Sequence, residues 1–231
     1  MKQAAVNAGF DQWIVFEKIR EANRMRHREA YETVERTLAA GFEWPPRILD
    51  IGCGDGREIA KILKRVPATE YVGIDNSSDV LENARVNLAE APCPWRLIHG
   101  DYTEAFKIAG TSFNVILLGL FLHHFPAREK QDFFQHAARM LTADGAVLAH
   151  EPVLLETEDR KGFLERMSLA CEGWPELTPE ERETLAPHWS GHGYQERVSS
   201  LEEIAGQAGF SKTEVLWRDP DRFYVVLSFR R

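Results

Sequence analysis

ILDIGCGDG, residues 48–56, leads from a short apolar run into glycines at positions 52, 54 and 56. The run has the length and character of a buried strand. A residue without Cβ accepts positive φ, so Gly52, Gly54 and Gly56 permit a sharp turn and close approach of backbone to a ligand. A helical pattern from Arg57 to Arg65 follows at once. Strand, glycine turn and helix in that order describe a ligand loop at the C-terminal end of a sheet strand.

The same alternation continues outward. EYVGID (70–75), WRLIHGD (95–101), FNVILLG (113–119) and AVLAHEPV (146–153) read as strands. SSDVLENARVNLAEA (77–91), with a serine cap, and AREKQDFFQHAARML (127–141), ending in the turn TADG, read as helices. Strands alternating with helices imply a parallel sheet covered on both faces. Before the loop, one helix is expected from about Gln12 to Ala40, broken by GFEWPP at 41–46. Residues 154–198 are charged and rich in Trp, Pro and Gly, with no clear strand. SLEEIAGQAGF (200–210) returns to helix, and 212–219 and 222–231 form two strands joined by a tight turn, hence an antiparallel pair. One domain results, with a helical cap (1–46), a core (47–153), an insertion (154–198) and a terminal helix and hairpin (199–231).

Bulk properties narrow the classes of function. The chain has 231 residues, 44% hydrophobic and 28% charged, enough for one large core. A formal net charge of −8 argues against a nucleic-acid partner, which favours a basic stripe. Cys53, Cys93 and Cys171 lack metal or redox spacing, which fits a reducing, cytoplasmic setting. The N-terminus lacks the apolar core of a signal peptide, and no apolar run reaches membrane-spanning length.

Spacing and charge then bear on the ligand. Dinucleotide loops carry G-x-G-x-x-G, whereas here the third glycine comes one residue early. Asp50 before the loop and Asp55 within it would repel a pyrophosphate. They suit a ligand with an ammonium and a sulfonium, as in S-adenosylmethionine. Asp75 ends the next strand, where an acid accepts hydrogen bonds from ribose hydroxyls. Asp101, after the third strand, stands where an adenine amino group would donate.

ILDIGCGDG, YVGIDNS, IHGDY and FNVILLGLFLHHF, in this order and each at a strand end, resemble the successive motifs of class I S-adenosylmethionine-dependent methyltransferases. The resemblance covers Arg47 to Val153, and the terminal hairpin matches the family's usual ending. It implies a Rossmann-like α/β fold with a doubly wound seven-stranded sheet, order 3-2-1-4-5-7-6, strand 7 antiparallel. It implies the Asp50–Gly56 loop at the methionine end of the cofactor, Asp75 at the ribose with Asn76 beside it, and Asp101 and Tyr102 at the adenine. Backbone at Leu118 and Gly119 would meet the amino-acid part, and S-adenosylhomocysteine would be the product.

Methyl transfer is an in-line displacement that needs alignment, and a base where the acceptor carries a proton. His123, His124 and Glu151 stand at the ends of strands 4 and 5, with His150 beside Glu151, and one residue of each adjacent pair is expected to face the pocket. The insertion is expected to be a substrate lid carrying His188, Trp189, His192, Tyr194 and Arg197, with Phe10, Trp13 and Phe16 of the N-terminal helix on the opposite wall. Imidazoles from the lid and Glu151 suggest a divalent metal, yet no H-E-x-x-H or Cys-rich pattern supports one and none is expected. A small-molecule acceptor is favoured. The alternatives are a tRNA or protein methyltransferase, which predicts a basic rim built from Arg24, Arg26, Arg28, Arg160, Arg166 and Arg197, and a cofactor-binding regulatory module without turnover. The sequence leaves acceptor atom and oligomeric state open.

Overall fold

A computed structural model describes residues 15–108, 110, 112–183, 185 and 193–231. Five parallel strands form the centre: β1 (Arg47–Ile51), β2 (Glu70–Asp75), β3 (Trp95–His99), β4 (Phe113–Gly119) and β5 (Leu141–Leu154). A two-residue strand, β6 (Glu196–Arg197), pairs with the end of β5, and the hairpin is β7 (Lys212–Arg218) and β8 (Tyr224–Arg230). The order is β3-β2-β1-β4-β5-β8-β7, with β8 antiparallel to both neighbours. This is the expected doubly wound order, renumbered by the added β6.

Helices cover both faces. α1 spans 15–21, and α2 (His27–Ala40), α3 (Arg57–Leu63) and α4 (Ser78–Leu88) lie in chain order around β1 and β2. α5 (Tyr102–Ile108) and α6 (Ala127–Met140) flank β4, α7 (Arg160–Glu172) and α8 (179–183) belong to the insertion, and α9 (Val198–Gln207) precedes the hairpin. Period-two alternation divides the sheet side chains. Leu49, Ile51, Val72, Ile116, Leu118, Val147 and Leu227 pack with Phe133 and Phe134 of α6 and Leu201 of α9. Ile48, Tyr71, Val115, Leu117 and Leu148 face Val34 and Leu38 of α2, Ile59 of α3 and Leu88 of α4.

A third apolar cluster lies beyond the sheet. Val15 and Ile19 of α1 meet Phe163, Met167 and Cys171 of α7, Trp174, and Phe223 and Tyr224 at the start of β8. The insertion is thus largely helical in its described part and shares a core with the N-terminal segment. Buried Lys130, 1% exposed, fastens the insertion's return to α6 by donating to the Tyr194 carbonyl at 2.5 Å and to Glu196 at 3.0 Å.

Two local expectations are corrected. The helix expected from about Gln12 to Ala40 is interrupted: Asn23 and Arg26 adopt φ of 56° and 58°. Asn23 tolerates this conformation and closes the break, taking the Arg28 N–H at 3.0 Å and donating to Glu29 at 2.7 Å. The TADG segment is an excursion within β5, because Leu141 pairs with Phe113 while the next register pair is Ala146 with Val115.

Phe134 is fully buried and meets Phe210 and Phe229 at ring distances of 5.4 and 4.8 Å. Phe134→Ala is expected to lower unfolding free energy by about 3–5 kcal/mol, read from the urea midpoint with an unchanged slope.

Candidate active site

The glycine turn is built from its backbone outward. Gly52, Gly54 and Gly56 have φ of 73°, 56° and 62°, which branched residues resist. Gly52 and Cys53 donate to the Ile74 carbonyl at 2.8 and 2.9 Å, and Gly54 donates to Asp75 Oδ2 at 3.0 Å. Gly56 donates to Cys53 O at 3.1 Å and Arg57 to Asp55 Oδ1 at 3.1 Å. These N–H groups are spent within the fold, whereas a phosphate loop needs them free. A Cβ at Gly54 would meet nothing within 4 Å, so the turn presents an open face there.

That face looks into a cavity of about 960 Å³, a volume suited to a cofactor-sized ligand. Gly52, Gly54, Gly56, Asp75, Asn76 and Gly119 line it, together with Arg20, Asn23, His27 and Tyr31 of the cap. Asp75 Oδ1 accepts the Ser77 N–H at 3.0 Å, so each carboxylate oxygen already holds one backbone donor and keeps further lone-pair capacity. Gly119 is matched to Tyr31, whose hydroxyl would stand 3.0 Å from a Cβ at that position.

Other expected cofactor residues lie elsewhere. Asp50 is 1% exposed and turned toward the α2–α4 face, where Oδ2 accepts the Tyr71 hydroxyl at 2.8 Å. Gly73 leaves the space for this contact, since a Cβ there would lie 2.9 Å from Cys53 Sγ and 3.1 Å from Tyr71 Oη. Burial pushes the Asp50 carboxyl up to about 7, with the Tyr71 hydrogen bond opposing and Asp75 adding. Asp55 lines the cavity, but Arg20 holds it at 2.9 Å and Arg57 at 3.3 Å. The two carboxylates assigned to a cationic ligand therefore present no free charge. Asp101 is exposed and caps α5 by accepting the Thr103 N–H at 2.8 Å and the Glu104 N–H at 3.2 Å. Tyr102 packs among Phe106, Phe121, Phe125 and Phe133, and Leu118 is a core residue. Asp101, Tyr102 and Leu118 do not line the cavity.

A second cavity of about 610 Å³ adjoins the first, with Arg20, His27 and Asn76 lining both. His123 and His124 both face it, because they sit on a 3-10 turn (Leu122–His124) rather than an extended chain. Their ring centroids are 4.1 Å apart. Phe16 lines it as well, while Phe10, Trp13, His188, Trp189 and His192 lie outside the described residues.

Glu151 is not in the wall. It is 1% exposed and accepts the N–H groups of Phe121 and Leu122 at 2.7 Å each, that of His123 at 3.2 Å, and His123 Nδ1 at 3.0 Å. It positions the turn and has little capacity left for chemistry. His150 is buried too, edge-on to His27 at 5.5 Å, and burial holds its pKa well below the usual imidazole range. Neither member of this pair faces the cavity. The Tyr194 side chain is exposed and its backbone does the binding, with its N–H on the His123 carbonyl at 2.6 Å. Among the described residues, no group of three or more His, Cys, Asp or Glu side chains comes together to hold a metal.

The cleft residues that sequence reading missed are Arg20, Asn23, His27 and Tyr31. They recur at three- and four-residue spacing, a polar stripe legible in principle once the partner of that face is known.

A family model described as a methyltransferase domain matches residues 48–145. An uncharacterized methyltransferase of Mycobacterium tuberculosis is 35% identical over 77 residues, 33% of this chain and 36% of that protein. A trans-aconitate 2-methyltransferase of Enterobacter sp. is 49% identical over 57 residues, 25% of this chain and 21% of that protein. The matched stretch thus spans about a third or less of these curated relatives. The solved structure of a cyclopropane synthase from Mycobacterium tuberculosis aligns with a TM-score of 0.57 at 21% identity, covering 80% of this chain and 62% of that one. At that identity the likeness is one of fold.

The buried Asp50 carboxyl generates a prediction. Its pKa is raised on folding, so its contribution to stability is present at low pH and is lost as pH rises through about 7. Between about pH 5.5 and 8.5 this loss is about 2 kcal/mol. Asp50→Asn is expected to remove it, so that urea unfolding of the variant declines less over that interval than that of the parent.

Proposed function

We propose that residues 48–145, which match a family model described as a methyltransferase domain, form the core of a class I S-adenosylmethionine-dependent methyltransferase, and that the protein transfers a methyl group from that cofactor to a small-molecule acceptor. The observation that carries this reading is the pair of adjoining cavities, one floored by the glycine turn and the other by the His123–His124 turn. A cofactor beside an acceptor, meeting at shared residues, is the geometry a two-substrate displacement requires.

The cofactor suits the first cavity on chemical grounds. The N–H groups of Gly52, Cys53, Gly54 and Gly56 are already bonded and so are not free for phosphate, and Asp75 offers carboxylate lone pairs to a ribose diol. Gly52, Gly54, Gly56, Asp75, Asn76 and Gly119 would hold it, with Tyr31 closing over the end of β4. When bound, it supplies a methyl carbon activated by a sulfonium. The chain's own part is placement. Glu151 fixes the turn that carries His123 and His124, and Lys130 fixes the segment that carries Gly193 and Gln195 into β6, so two walls of the acceptor cavity are held by buried carboxylate and ammonium groups.

The arginines support a small acceptor over a nucleic acid or an acidic protein. Arg24 is bidentate to Glu176 at 2.5 and 2.9 Å, Arg26 pairs with Asp219 and Asp221, and Arg166 pairs with Glu158 at 2.9 Å. Arg197 donates to the Glu158 carbonyl at 2.7 Å. Four of the six arginines considered for a basic rim are thus committed to partners within the fold, while Arg28 is exposed beside the first cavity.

Calorimetric titration with S-adenosylmethionine, S-adenosylhomocysteine and NADH tests the reading. Both adenosyl compounds are expected to bind and NADH is not. No adenosyl binding to folded protein, or preference for NADH, would overturn it. Asp75→Ala is expected to weaken S-adenosylhomocysteine binding by roughly 1.5–3 kcal/mol, and unchanged affinity would remove Asp75 from the site.

A further inference from the structure

The acceptor-side cavity is faced mainly by apolar side chains, among them Met25, Leu120, Phe163, Met167 and Tyr224. Its charges are already matched. Arg20, the one Lys or Arg among the described lining residues, is held by Asp55 at 2.9 Å and Glu17 at 2.7 Å. Glu17, the one carboxylate among the described lining residues, is part of the same cluster. A carboxylate-bearing acceptor would enter with no unmatched cation to meet it, and an ammonium would find no unmatched anion. Unpaired charge in apolar surroundings is strongly disfavoured.

Three polar atoms at this wall, Nε of Arg20, Nδ1 of His27 and Oε1 of Gln195, are buried and lack a hydrogen-bond partner among the described residues; the Arg20 charge itself is met by Asp55 and Glu17. Buried polar atoms of this kind are normally satisfied by a ligand or a water. The His27 ring faces Arg20 of α1, His150 of β5, Tyr31 of its own helix, and Asp55 and Glu58 around the glycine turn. Burial, with Arg20 second, depresses its pKa to about 4, so the imidazole is neutral at physiological pH. A neutral ring attracts no anion, but it exchanges a hydrogen bond with a hydroxyl.

Building on the methyltransferase reading, we propose that the acceptor is an uncharged, hydroxyl-bearing molecule with an apolar body, and that His27, at the junction of the two cavities, selects it by hydrogen-bonding the hydroxyl. The apolar body lies between Met25, Phe163 and Met167, and the hydroxyl end points toward the cofactor cavity. A site built to pair with a hydroxyl discriminates strongly against an analogue that leaves its polar groups unmet.

The test uses the whole chain, saturated with S-adenosylhomocysteine and labelled with carbon-13 in its histidine rings. Para-ethylphenol and para-ethylbenzoate serve as matched neutral and anionic probes, followed by calorimetry and by the His27 ring signal, assigned through His27→Gln. Para-ethylphenol is expected to bind about tenfold or more tightly than para-ethylbenzoate and to shift the His27 signal. His27→Gln is expected to weaken para-ethylphenol about fivefold or more. The comparison of the two probes on the unmodified chain stands without any variant. Equal or tighter binding of para-ethylbenzoate, no binding of para-ethylphenol, or its binding without movement of the His27 signal would each overturn the inference. Failure of S-adenosylhomocysteine itself to bind would instead remove the methyltransferase reading on which it rests.

Discussion

Where parallel strands end side by side, backbone N–H groups are left without ladder partners, and each must find an acceptor or lose stability. Two carboxylates meet this demand. Asp75, at the end of β2, accepts from Gly54 and Ser77. Glu151, near the end of β5, accepts from Phe121, Leu122 and His123. The first shapes the floor of one cavity and the second shapes the floor of the other. The site is thus a consequence of how the sheet terminates.

The second determinant is the cap. Residues from two distant stretches of chain, α1 and α7, share one apolar cluster, and the N-terminal segment is further tied to the rest of the insertion by Lys18–Glu181 of α8 at 2.6 Å and by Arg24–Glu176. Arg20 reaches from α1 to Asp55 in the glycine turn. The two cavities and the cap are therefore linked through a few side chains, and the break at Asn23–Arg26 lets one segment both cover the sheet and line the cleft.

The charges around the glycine turn carry a lesson about reading them from sequence. Asp50 and Asp55 speak against phosphate by formal charge, yet one is buried beside Tyr71 and the other is neutralised by arginines. What counts against phosphate is instead that the N–H groups of Gly52, Cys53, Gly54 and Gly56 are already bonded within the fold. Formal charge belongs to a residue, whereas its effect at a site depends on burial and partners that only the packed molecule supplies.

The strands and the glycine turn were legible in the sequence, because each rests on local periodicity and on backbone freedom at particular residues such as Gly52 and Gly54, whereas the sheet order came from the family resemblance of the motifs at the strand ends. The interruption of the first helix was not, since Ile19 and Ala30 lie about three helical turns apart and the hydrophobic phase passes through the break unchanged. Nor were the roles of Asp101, Tyr102 and Glu151, whose side chains were claimed by a helix cap, an aromatic cluster and a backbone turn. His27 gave no signal of its own. Its neutrality and its place between two cavities come from desolvation by elements far away in sequence, and pattern reading cannot reach an interaction whose partners are brought together only by the fold.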